Sequence, residues 1–200
     1  VTVPAYSVAV PTTAPAELLA ELPPQTRRCL DVAANVERML HAKFGWYVQG
    51  VLLVFSQHQK GGPVHGEILP LTLDPNSRQL VDLLRATVDR RPVRPDEGVA
   101  IGGCVIASGL DLSAGVSIPT GLSRAELAAE HDRLTASGQA RMFNAVIGAL
   151  RSGWRWRLYR YRSITRARPA SVQWFPPGAP QPPNSLAMAL DEVLDTLDVP

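Results

Sequence analysis

Four aromatic rings and four guanidinium groups fall within the nine residues Trp154-Arg155-Trp156-Arg157-Leu158-Tyr159-Arg160-Tyr161-Arg162, and no acid interrupts them. The chemistry such a run offers is anion recognition: guanidinium forks bind phosphate or carboxylate, and rings stack on bases or pack beside a backbone. Strand alternation sends Trp154, Trp156 and Leu158 to one face and Arg155, Arg157, Tyr159 and Tyr161 to the other. Arg155, Arg157, Tyr159, Arg160, Tyr161 and Arg162 form the candidate anion-binding set, with Arg151, Arg166 and Arg168 flanking it. An ordinary amphipathic strand reads the same way if its arginines pair with neighbouring helices and its tryptophans anchor a core.

A second chemistry lies between residues 56 and 67. If Lys60-Gly61-Gly62-Pro63 is a four-residue turn, Gln59 opposes Val64, His58 opposes His65 and Ser56 opposes Glu67, with opposed β-carbons about 5 Å apart. Phe55 and Ile68 then point to the core. Two imidazoles and a carboxylate, His58, His65 and Glu67, are an open-sided shell for zinc or iron(II), as a metal-dependent hydrolase or oxygenase would use. The wet face of a hairpin has the same composition, and a one-residue slip would part the two histidines. His65-Gly66-Glu67 has the HxE spacing of zinc deaminases, but the PCxxC pair those enzymes need is absent: Cys104 follows Gly103 and no cysteine comes after it.

Other catalytic signatures fail on spacing. Ala107-Ser108-Gly109 is not a GxSxG elbow, and Gly61-Gly62 leads into a strand where a phosphate loop would lead into a helix. His41, near the end of the first helix, is placed to meet terminal carbonyls, and His131, between Glu130 and Asp132, reads as a surface residue. Cys29 and Cys104 are too few for a disulfide framework and read as buried thiols.

Composition bounds the rest. Two hundred residues, 46% hydrophobic and 19% charged, suit one globular domain. Eighteen arginines against Lys43 and Lys60 alone, in an Ala-, Pro-, Val- and Leu-rich chain, point to a GC-rich bacterial genome, which weakens arginine counts as evidence of function. Thr2 to Pro15 shows neither the basic nor the apolar region of a signal peptide, and no window has the length of a membrane span, so a cytoplasmic location is expected. Charge is segregated: residues 1–150 carry net −1, residues 151–168 net +7 and residues 169–200 net −4.

The elements that must position these groups follow from periodicity. Pro4, Pro11 and Pro15 make 1–15 an extended arm, and Ala16 to Leu22 is read as a short helical turn. A helix runs from Pro24 to Gly45. Trp46–Gln59 and Val64–Leu73 make a hairpin within 46–73, and Asp74 with Pro75 caps a helix carrying Leu80, Leu83, Leu84 and Val88. Val99–Ala107 is a buried strand, and Val116–Ile118 a short one. Ser123 and Glu126 have capping-box spacing. After Gly138, Met142, Phe143, Val146, Ile147 and Leu150 recur at helical steps, and the arginine-aromatic strand follows near 154–164. Six prolines make 169–183 a linker. The segment 184–200 is an acidic amphipathic helix with Leu186, Leu190, Val193, Leu194 and Leu197 as a stripe that must dock on its own domain, a second copy or a partner.

The expected fold is α+β: one domain over 16–168, an antiparallel sheet with helices on one face, then linker and tail helix. The expected function is that of a non-catalytic binding or adaptor protein. It would engage an anionic partner, nucleic acid or acidic protein, through the Arg/Tyr strand, with no cofactor and no membrane. A zinc or iron enzyme on the hairpin and a structural, chaperone-like homo-oligomer built on the leucine stripe are the alternatives.

Overall fold

The computed structural model describes residues 6–9, 22–46, 48, 50–71, 80–91, 98–162, 171–180 and 185–194. These build an α+β domain: β1 (Tyr6–Ala9), α1 (Pro24–Phe44), β2 (Val51–Gln57), β3 (His65–Pro70), α2 (Leu80–Asp89), β4 (Val99–Leu112), α3 (Arg124–Ala136), β5 (Ala140–Leu150), β6 (Arg155–Tyr161), β7 (Ser171–Phe175) and α4 (Ser185–Leu194). The sheet order is β1-β7-β6-β5-β4-β2-β3, and every neighbouring pair is antiparallel. Among the described residues no helix is long and apolar enough to cross a membrane.

Helix α1 forms where the sequence places it, with Pro24 in its first turn and Gly45 closing it by donating to the His41 carbonyl. Cys29, Leu30, Ala33, Glu37 and Leu40 recur at three- and four-residue steps and are buried. They pack on Leu53 and Phe55 of β2, Cys104 and Ile106 of β4, Val146 and Leu150 of β5, and Trp156 of β6. The opposite sheet face buries Leu52, Val54, Val105 and Ala149 under Leu84 of α2 and Ala189, Leu190, Val193 and Leu194 of α4. Helices therefore clothe both faces, not one. Central strands made of Val, Leu, Ile and Ala on both sides need that double cover.

Four expectations change at the level of elements. The run after Gly138 is strand β5, not a helix: it is buried without a break from Asn144 to Leu150, and a two-sided apolar strand satisfies a helical template as well as its own. The Pro-rich segment 169–183 contains β7, whose Val172 and Trp174 are 8% and 5% exposed beside Trp156 and Leu158. The prolines bracket Ser171–Phe175 without entering it, so the ladder keeps its donors. The arm 1–15 supplies β1, paired with β7. Val116–Ile118 is not a strand, whereas β4 extends to Leu112. The readings at Ala16–Glu21, Asp74, Pro75, Arg166, Arg168 and Leu197 lie outside the described residues.

The capping box of α3 is complete, Ser123 accepting from the Glu126 amide while its own amide donates to the Glu126 carboxylate. Those bonds to Ser123 hold the Glu126 carboxyl below its usual range.

Cys29 and Cys104 are both 0% exposed in the α1 core. Burial pushes the Cys29 thiol up to about 12, and burial together with the facing Cys29 raises Cys104 well above its ordinary value. Thiolate is the reactive form, so neither should react with an aromatic disulfide reagent in the native protein. We expect a rate at least roughly a hundredfold below that in denaturant, where both titrate. Rapid native labelling of either cysteine would contradict this core.

Candidate functional site

Arginine-rich β6 lies between β5 and β7, with Arg155 opposite Ala149 and Phe175, Arg157 opposite Ile147 and Gln173, and Tyr161 opposite Phe143. Alternation holds as expected: Trp156, Leu158 and Arg160 face α1, and Arg155, Arg157, Tyr159 and Tyr161 face the α4 side. Trp156 is 1% exposed.

The guanidiniums are engaged within the molecule. Arg155 Nε lies 2.6 Å from Asp191 Oδ1 of α4, and its Nη1 donates to the Leu150 and Trp154 carbonyls. Arg157 is 6% exposed, with its guanidinium 5.4 Å from the centre of the Phe175 ring. Arg160 forms two hydrogen bonds to Glu37 of α1, at 3.1 and 2.9 Å. Arg162 donates to Asp132 of α3 at 2.8 Å, and Arg151 to the Leu194 carbonyl at 3.2 Å. Among the described arginines of this segment, Arg155, Arg160 and Arg162 meet acids from α4, α1 and α3. The sequence separates those charges and the fold reunites them.

The tail helix docks on its own sheet. Leu190, Val193 and Leu194 are 0%, 1% and 4% exposed against β2, β4 and β5. Arg85 of α2 reaches Glu192 at 2.7 Å.

Both tyrosines stay half-buried. Continuing from the α4 contact, the same sheet face carries Ala107, Gly109 and Asp111 of β4, Arg141, Phe143 and Ala145 of β5, and Tyr159 and Tyr161 of β6. Phe143 packs edge-on to Tyr159 with ring centres 5.7 Å apart and tilts against Tyr161 at 5.9 Å, while the two tyrosines stack at 6.3 Å. All three rings are partly exposed and belong to neither core. Phe143 lies over Gly109 because that residue has no β-carbon to strike the ring. Arg141 stands 5.1 Å over Tyr161 and 3.3 Å from Asp111, with side chains 59% and 48% exposed. Burial, and then the Asp111 carboxylate, push the Tyr161 phenol above its ordinary value, so it remains a neutral donor.

Phe143, Arg141 and Asp111 are the members that sequence reasoning misses. Read as a helix, 139–150 puts Phe143 on the same stripe as Met142 and Val146. As a strand it turns Met142 inward to 1% exposure and Phe143 to the opposite face. The signal available was the Gly109–Phe143 cross-strand match, visible only once β5 is known to pair with β4.

The hairpin register differs from the expected one by two residues: Ser56 opposes His65 and Val54 opposes Glu67. Gln57 instead spends its side chain on the turn, donating to the Gly62 carbonyl at 2.7 Å. His58 lies beyond β2, yet its ring centre is 5.6 Å from that of His65, with the ring planes at 78°. Glu67 turns to Arg91 at 2.6 Å. Phe55 is fully buried as expected, while Ile68 is 37% exposed at the sheet edge. Among the described residues no group of three His, Cys, Asp or Glu is placed to hold one metal ion.

His41 meets a terminal carbonyl as its position suggests: Nδ1 is 2.9 Å from Gly45 O, and 3.0 Å from the side-chain nitrogen of buried Asn144. Ser108 donates to Asn144 and accepts from the Val48 amide. This chain of hydrogen bonds pins the α1–β2 connection to the sheet. No protein family, curated protein or solved structure gives a match to this chain.

Proposed function

We propose that the chain is a non-catalytic binding protein that holds single-stranded nucleic acid on the ring cluster of Phe143, Tyr159 and Tyr161, with Arg141 as its phosphate contact. The observation that carries this reading is three partly exposed rings within 6.3 Å of one another on a sheet face. Unpaired bases offer π-faces to such a platform whatever their identity, and each stacking contact contributes about 1–3 kcal/mol. A duplex hides those faces and relies on phosphate contacts. An acidic protein surface would rely on several guanidiniums at once, and those of β6 and of Arg162 beyond it are engaged with Asp191, Phe175, Glu37 and Asp132.

The test is fluorescence anisotropy with labelled oligo-dT and oligo-U beside a duplex of equal length. Tyr159→Ala or Phe143→Ala should weaken single-strand binding by about 5- to 150-fold, the range of one stacked base. Log affinity should fall against log salt with a slope of about −0.7 to −1.4, one or two phosphates, and not the roughly −3 of four free arginines. A steep slope with ring variants at full affinity would return the site to the arginines. Absence of single-strand binding would end the proposal.

A further inference from the structure

We propose that His58 and His65 form a two-imidazole site for a divalent transition-metal ion at the tip of the β2–β3 hairpin. The site is separate from the ring platform: it lies by Val99, at the start of β4, whereas Gly109 and Asp111 lie near its far end, roughly 33–40 Å away at the rise of an extended strand.

Geometry is the first argument. With metal–nitrogen bonds of about 2.1 Å directed along the ring axes, two imidazole centres sharing a tetrahedral ion stand about 5 Å apart. The His58 and His65 centres stand 5.6 Å apart, and both residues are exposed, so a small side-chain rotation closes the site. The rings meet although they are not cross-strand partners, because the turn between them is held. Gly62 donates to the Gln59 carbonyl, Gln57 donates to Gly62 and accepts from Gln25 at 2.9 Å, and Arg28 of α1 donates to the Gly61 and Gly62 carbonyls. That scaffold presents the imidazoles together before any ion arrives.

Ligand chemistry is the second argument. Glu67, which alternation puts on the same face as His65, is committed to Arg91, so the donors are two nitrogens without a carboxylate. Such a set selects copper(II), nickel(II) or zinc(II) over magnesium or calcium, which take oxygen. The remaining positions belong to water, which makes this an exchangeable site and not a closed structural one.

The experiment is zinc titration by calorimetry together with copper(II) electron paramagnetic resonance, on the full chain and on His58→Ala, His65→Ala and Glu67→Gln variants checked for folding by circular dichroism. Expected are one zinc per chain, a loss of at least about tenfold in affinity in either histidine variant, a two-nitrogen hyperfine pattern reduced to one, and no change in Glu67→Gln. Binding that persists in both histidine variants, absence of zinc uptake by the folded chain, or loss of binding in Glu67→Gln would each overturn the two-imidazole assignment. None of these outcomes bears on nucleic-acid binding.

Discussion

Arg160→Met should destabilise the protein by about 3–5 kcal/mol in urea denaturation, because it strands a carboxylate with almost no access to water. Glu37 is 2% exposed in the middle of the apolar stripe of α1, and the Arg160 fork is its partner across 123 residues of chain. Desolvating two charges costs much of what their attraction returns, so the large effect belongs to breaking the pair and not to having it. Glu37→Leu combined with Arg160→Met should therefore recover to within about 1 kcal/mol of the parent, or exceed it. A single Arg160→Met variant as stable as the parent would show that Glu37 is satisfied elsewhere.

Gly148→Val should cost about 3 kcal/mol or more, the upper end of overpacking. Gly148 is directly opposite Trp156 across the β5–β6 ladder, and a β-carbon there would overlap the indole carbons. The indole has nowhere to retreat: it is 1% exposed and tilts against Phe55 with ring centres 6.0 Å apart. Trimming the ring should relieve the clash, so Trp156→Leu in the Gly148→Val background is expected to cost less than the sum of the two single changes by about 1–2 kcal/mol. Additive losses, with an unchanged near-ultraviolet tryptophan signal in Gly148→Val, would show that the ring does not rest on this glycine.

Local signals made part of this fold legible. Pro24 and Gly45 bound α1, Ser123 and Glu126 start α3, and the alternation of 154–161 assigns each side chain of β6 to its face. What escaped depends on partners distant in the chain. Met142–Leu150 fits a helix until β4 and β6 flank it, and Ser171–Phe175, though Val172 and Trp174 alternate with Ser171 and Gln173, is only five residues among prolines until Trp156 and Leu158 lie alongside. The hairpin register is offset by two residues from the one a four-residue turn implies, and alternation, being the same for either, cannot tell the two apart. Pairing was also invisible. An arginine count shows a positive segment, but Glu37 on α1, Asp132 on α3 and Asp191 on α4 approach it only through the fold.

The double covering of the sheet has a dynamic consequence. From Asn144 to Leu150 every residue of β5 is shut away beneath helices or neighbouring strands, so its amides should be among the last to exchange with deuterated solvent. Phe143 is the next residue along that rail, and Tyr159 and Tyr161 ride the strand bonded beside it. A guest settling on these rings would meet a backbone already held beneath them, so the chain itself would have little left to order on association.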